Sequence, residues 1–85
     1  MSYSIEFSKR SQKDLDGFDN MIAGRCLSKI ETLKENPFPQ GVIKVKGEDR
    51  AFRIRVGKYR ILYEVYNETK IILIVKMDNR DRVYD

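Results

Sequence analysis

The chain has 85 residues, no histidine, one cysteine and a formal charge of +4. That composition excludes a histidine triad or histidine-pair ribonuclease, a set of soft zinc ligands and any internal disulfide. It fits one small domain over residues 1–85, whose 41% hydrophobic content supports a core and argues against disorder.

Tyr3, Ile5 and Phe7 alternate with Ser4 and Glu6, which predicts a first strand. Ser8 is placed to cap a helix that runs to about Asp16. Gly17 interrupts that pattern, and Phe18-Asp19-Asn20 predicts a turn between helices. Ile22, Ala23, Cys26, Leu27, Ile30 and Leu33 recur at helical spacing and predict a second, amphipathic helix. Cys26 reads as a small core residue of that helix rather than a reactive thiol. Asn36-Pro37 stops the helix, because the residue before proline avoids helical torsions. Pro37 to Gly41 forms a connection.

Strands are then expected from Ala51 to Val56 and from Tyr59 to about Tyr66, joined by a turn at Gly57-Lys58. Asn67-Glu68-Thr69 makes the next turn. Ile71-Ile72-Leu73-Ile74-Val75 is apolar without alternation, as for a central strand covered on both faces. The order predicts an α+β fold: an N-terminal strand, a helical hairpin, then a three-stranded antiparallel meander, all in one sheet. No apolar run approaches the roughly 18–20 residues needed to span a bilayer, so no membrane partner is expected. The N-terminus lacks a signal-peptide layout, and a lone cysteine fits a reducing, cytoplasmic setting.

The positive charge is concentrated. Between Val42 and Arg60 lie seven basic residues, Lys44, Lys46, Arg50, Arg53, Arg55, Lys58 and Arg60, against Glu48 and Asp49. That segment carries +5, and the remaining ten basic and eleven acidic residues sum to −1. Period-two alternation puts Phe52, Ile54 and Val56 toward the core and points Arg53 and Arg55 together from the other face. Such a face is either a solvated sheet surface or a seat for a polyanion.

Gly41, Gly47 and Gly57 stand in no phosphate-cradling pattern, and Glu64 has no obvious partner carboxylate. Neither a cofactor nor a metal is called for. Arginine, lysine and tyrosine remain, and these suit RNA, which carries its own nucleophile in the 2′-hydroxyl. A protein need only align that oxygen and stabilise charge on the phosphorane. Arginine is a poor general acid because its pKa exceeds about 12. Tyrosine would serve as a base beside cations, or as a stacking platform for a base. The tail Met77-Asp78-Asn79-Arg80-Asp81-Arg82-Val83-Tyr84-Asp85, after the last strand, is either a frayed end or the source of a further arginine and tyrosine.

Four segments together carry a resemblance that covers nearly the whole chain. They are Ile5-Glu6-Phe7-Ser8-Lys9-Arg10, Leu33-Lys34-Glu35-Asn36-Pro37, Phe52 through Glu64, and Asn79-Arg80-Asp81-Arg82-Val83-Tyr84. In order and spacing they resemble the RelE family of bacterial and archaeal toxin–antitoxin modules, within the RelE/ParE superfamily. The resemblance implies a metal-independent, ribosome-dependent endoribonuclease that cleaves messenger RNA by 2′-hydroxyl attack and arrests translation. It also implies a RelB-like antitoxin that neutralises it in a heteromeric complex.

Carried over by residue, Arg60, Arg80 and Tyr84 would be catalytic. Arg53 and Arg55, with the neighbouring Lys44, Lys46 and Lys58, would bind RNA. Family members often have lysine at the positions of Arg53 and Arg55, so what carries over there is phosphate clamping rather than acid–base work. Many also place histidine where this chain has Asn79, which leaves Tyr84 as the candidate base. Two other functions share the fold: a ParE-like inhibitor of DNA gyrase, and a non-catalytic module that binds RNA or antitoxin.

Overall fold

The computed structural model describes residues 2–79 of the chain. The elements are β1 (Ser4–Phe7), α1 (Lys9–Asp16), α2 (Asn20–Leu33), β2 (Ile43–Lys44), β3 (Ala51–Val56), β4 (Tyr59–Tyr66) and β5 (Ile71–Asn79). The five strands form one sheet in the order β1-β5-β4-β3-β2. β1 runs parallel to β5, and all other neighbours are antiparallel. This is the expected α+β arrangement with one strand more than the sequence pattern announced.

Ser8 shows how local chemistry fixes the start. Its Oγ accepts the Ser11 N–H at 3.0 Å, capping α1, and its hydroxyl donates to the Val75 carbonyl at 2.7 Å. One short side chain therefore ends a strand, begins a helix and ties both to β5. Gly17 closes α1, its N–H donating to the Lys13 and Asp14 carbonyls. Asp19 caps α2, its carboxylate accepting the Ile22 N–H at 2.9 Å.

Both helices cover one face of the sheet. Cys26, Ile30 and Leu33 of α2 pack with Ile54, Ile61, Tyr63, Val65, Ile72, Ile74 and Met77 in the core. Burial pushes the Cys26 thiol above its usual range, which suits an inert core residue. The Tyr63 phenol is fully buried and donates to the Pro37 carbonyl at 2.6 Å, locking the end of the helical hairpin onto the sheet. Burial also raises its pKa far above the ordinary phenol range, so it stays protonated.

Four expectations are corrected. β2 pairs Ile43 with Arg53 and Lys44 with Phe52, adding an edge strand of only two residues. β5 continues to Asn79, so Met77-Asp78-Asn79 belongs to the sheet rather than to a tail. β5 is also covered on one face only. Ile72 and Ile74 are fully buried, but Ile71 and Leu73 are half-buried, because neither helix crosses to their side. Leu27 of α2 likewise lies off the buried stripe and is 41% exposed. Among the described residues, no helix is long and apolar enough to cross a membrane.

Candidate nucleic-acid interface

The register of the β3–β4 hairpin creates the site. Gly57 adopts φ +60°, in the left-handed region that favours glycine, and Gly57-Lys58 is a two-residue turn flanked by the Val56–Tyr59 pair. That turn forces Arg55 directly opposite Arg60, with Arg53 two residues further on, opposite Leu62. Side chains of cross-strand partners share a face, so the three guanidinium groups gather on the sheet surface away from the helices. Like charges set directly opposite destabilise a sheet, although Arg60 also has Asp78 opposite it on β5.

The edge adds to the concentration of charge. The Ala51 carbonyl accepts the Val45 N–H at 2.9 Å, so by ladder alternation Ala51, Arg53 and Arg55 turn their backbone groups toward β2. β2 begins at Ile43, opposite Arg53, and offers no residue opposite Arg55. The outward backbone N–H of Arg55 therefore lies at an open edge. Beside it is a cleft of about 380 Å³, lined by Lys29, Gln40, Gly41, Ile43, Arg53, Ile54, Arg55 and Arg60. Four of these residues are cationic and none is acidic. Arg53 and Arg55 form no ion pair with any described residue.

The other basic candidates are spread more widely. Lys58 is exposed in the hairpin turn at the Arg55–Arg60 end. Lys44 lies opposite Phe52 and so takes the opposite side of β2 from the Ile43–Arg53 pair. Lys46 is exposed in the turn after β2. The structure thus groups Arg53, Arg55 and Arg60 and leaves Lys44 and Lys46 apart from their cleft. Arg80 and Tyr84 lie outside the described residues. β5 ends with Asp78 opposite Arg60 and Asn79 opposite Tyr59, at the arginine end of the sheet.

Lys29 and the Gln40-Gly41 loop were not singled out by sequence reasoning. Lys29 stands three residues after Cys26 and four before Leu33, on the flank of the buried stripe of α2. Only the strand order shows that this flank meets the open edge of β3.

The chemistry of the cleft is cationic, with no carboxylate in its lining. Its arginines hold permanent charge and its lysine supplies a point charge, which suits clamping a phosphate and stabilising an oxyanion. The described tyrosines are engaged elsewhere. Tyr3 donates to Asn67, Tyr59 packs edge-on against Phe18 at 4.8 Å, and Tyr63 is buried. Tyr66 donates to Glu64 at 2.6 Å, and that hydrogen bond raises its pKa, the wrong direction for a base. Among the described residues, no group of three metal-ligating side chains comes together.

With the geometry in hand, comparison with known proteins is specific. The family model of the ParE toxin of type II toxin–antitoxin systems matches residues 5–84. RelE1 of Methanocaldococcus jannaschii, named as a toxin, is 36% identical over 87 residues, covering 99% of this chain and 97% of that protein. The crystal structure of the archaeal RelE–RelB complex from Pyrococcus horikoshii OT3 superposes with a TM-score of 0.84 at 31% identity. It covers 98% of this chain and 100% of the matched one. The isolated RelE toxin of Escherichia coli shares the fold alone, with a TM-score of 0.85 at 19% identity over 98% of this chain and 89% of that one.

Proposed function

This chain belongs to the RelE family of toxins, within the RelE/ParE superfamily of type II toxin–antitoxin systems, and from that premise we propose that it is a ribosome-dependent messenger RNA endoribonuclease. The observation that carries the proposal is the cleft in which Arg53, Arg55 and Arg60 converge without a lining carboxylate. In the reaction, the 2′-oxygen bonds to phosphorus and the bond to the 5′-oxygen breaks. One proton leaves the 2′-hydroxyl and another reaches the departing 5′-oxygen.

Arg53 and Arg55 hold the backbone so that these oxygens align. Arg60 faces the growing charge on the phosphorane. Proton transfer needs a group that the cleft does not supply, and Tyr84, with Arg80 as a further charge donor, is assigned that part. The reaction needs no metal, because the nucleophile comes from the RNA and the charge stabilisation from arginine. The partner is a RelB-like antitoxin, by analogy with the RelE–RelB complex from Pyrococcus horikoshii. It forms a heteromeric complex in the cytoplasm, and its acidic segments would cover the same arginines.

Primer extension on a ribosome-bound message tests the proposal. Cuts within the ribosome-covered codons are expected, and an uncut message would refute it. The match to the ParE family model favours one second reading, inhibition of DNA gyrase. A supercoiling assay separates the two: the nuclease leaves gyrase active, whereas a ParE-like protein stops it and leaves the message intact. Cleavage also excludes a non-catalytic RNA- or antitoxin-binding module.

A further inference from the structure

Two depressions meet at Lys29 and Arg55. One is the cationic cleft. The other is an open groove of about 800 Å³ along α2, whose lining includes Gly24, Arg25, Ser28, Lys29, Arg55 and Gly57. Lys29 and Arg55 line both, so the groove continues the cleft around the open edge of β3. Arg25 lies one helical turn before Lys29, about 6 Å along the helix axis. A guanidinium nitrogen of Arg25 comes within 3.4 Å of where a Cβ would stand at Gly57, so its head group lies over the hairpin turn.

Neither Arg25 nor Lys29 is neutralised by a described carboxylate. The acidic residue nearest on their helix, Glu31, is held by Lys34 at 2.9 Å. The floor is open as well: a Cβ at Gly24 would meet nothing within 4 Å. Cations therefore stand on both walls of one continuous channel, on α2 and on β3, with small residues between them.

We propose that α2 forms the second wall of the RNA track. Lys29 and Arg25 bind successive backbone phosphates of the message, on the side of the strand opposite Arg53 and Arg55. The proposal rests on the nuclease reading and adds to it a direction: the message leaves the cleft along α2 toward the hairpin turn. Charge spaced along an open, small-floored channel suits a sugar–phosphate backbone. An acidic helix would need a continuous apolar stripe, and the groove offers only Met21 and Val56.

The test measures cleavage on ribosomes programmed with a short message, as a function of toxin and salt concentration. Lys29→Gln and Arg25→Gln should each weaken the interaction uniformly across message sequences and reduce the log–log salt slope by about 0.7. Lys29→Arg should retain the slope. Lys70→Gln, at the far end of the sheet, should leave it unchanged. A message with neutral methylphosphonate linkages beside the cleavage site identifies whose phosphate is bound. On that message Lys29→Gln should have little further effect. If the two changes add in full, Lys29 does not bind message phosphate and the proposal fails. It fails too if the glutamine variants keep the parental slope while losing affinity for the antitoxin. If the parental protein does not cleave at all, the nuclease reading and this inference fall together. If it cleaves and the slopes stay unchanged, this inference alone falls.

Discussion

The cleft beside β3 and the far end of the sheet hold their cations differently. At the end where β5 begins, Arg50 stacks over the Tyr66 ring at 4.7 Å and Lys70 over the Tyr3 ring at 5.0 Å. Tyr66 is itself held by Glu64. On the α1 side, Arg10 pairs with Asp14 at 3.1 Å, and the Asp14 carboxylate also accepts the Met77 N–H at 2.9 Å. At the hairpin end, Arg55 is placed opposite Arg60, Arg53 has no ion pair, and Lys29 leans in from α2. The partnered cations add to the fold. Arg53 and Arg55 have no ion pair with any described residue, and under the proposed function the backbone of the message would complete them.

The largest expected effect breaks the functional end without touching the core. Arg60→Ala should lower the cleavage rate on ribosome-bound message by about 10²–10³-fold, the usual loss for one preorganised charge donor. Chemical denaturation should show the fold retained. A variant that cleaves at the parental rate would remove Arg60 from the transition state.

Next comes a change in the core that should spare binding. Tyr63→Phe removes the 2.6 Å hydrogen bond to Pro37 and leaves that carbonyl unsatisfied. Stability should fall by about 1–3 kcal/mol in a urea titration. The salt dependence of message cleavage should not move, since Tyr63 lies beneath the sheet.

A smaller loss is expected at the partnered end. Arg50→Gln removes an exposed cation–π contact and should cost about 0.5–1 kcal/mol, with cleavage unchanged. The smallest effect has the most telling sign. Arg55→Gln relieves the opposed arginine pair and should stabilise the protein by about 0.2–1 kcal/mol while weakening cleavage. A denaturation midpoint that falls instead would mean that Arg55 supports the fold, and the contrast between the two ends would dissolve.

Much of this was legible in the sequence where short-range chemistry decides. Ser8 capping α1, the stripe Cys26, Ile30 and Leu33, and the alternation from Phe52 to Val56 are local patterns, and all appear as expected. Even the Arg55–Arg60 pairing was available, because a two-residue turn at Gly57-Lys58 fixes the register on either side of it.

What escaped depends on neighbours. β2 has two exposed residues and becomes a strand only by pairing with β3. The apolar run of β5 would look the same whether one face or two were covered, and the side taken by both helices decides that. Lys44 and Lys46 belonged to a basic segment by composition, yet pairing and a turn set them apart from the arginines. Lys29 joined them from 24 residues before Arg53, through strand order alone. Arg80 and Tyr84 rest on resemblance and on the end at which β5 finishes.

The most direct measurement removes the same charge from each end. Arg53→Gln/Arg55→Gln and Arg50→Gln/Lys70→Gln both lower the net charge by two, so any effect of overall charge is equal. Single-turnover cleavage of ribosome-bound message is followed across a range of salt for each double variant and the parent. The account predicts that the first pair slows cleavage and flattens the salt slope by about 1.4 in total, roughly 0.7 per phosphate contact, while the second pair behaves as the parent. Equal losses in the two variants would show that the protein binds through net charge alone, and would contradict a cleft built at the hairpin end.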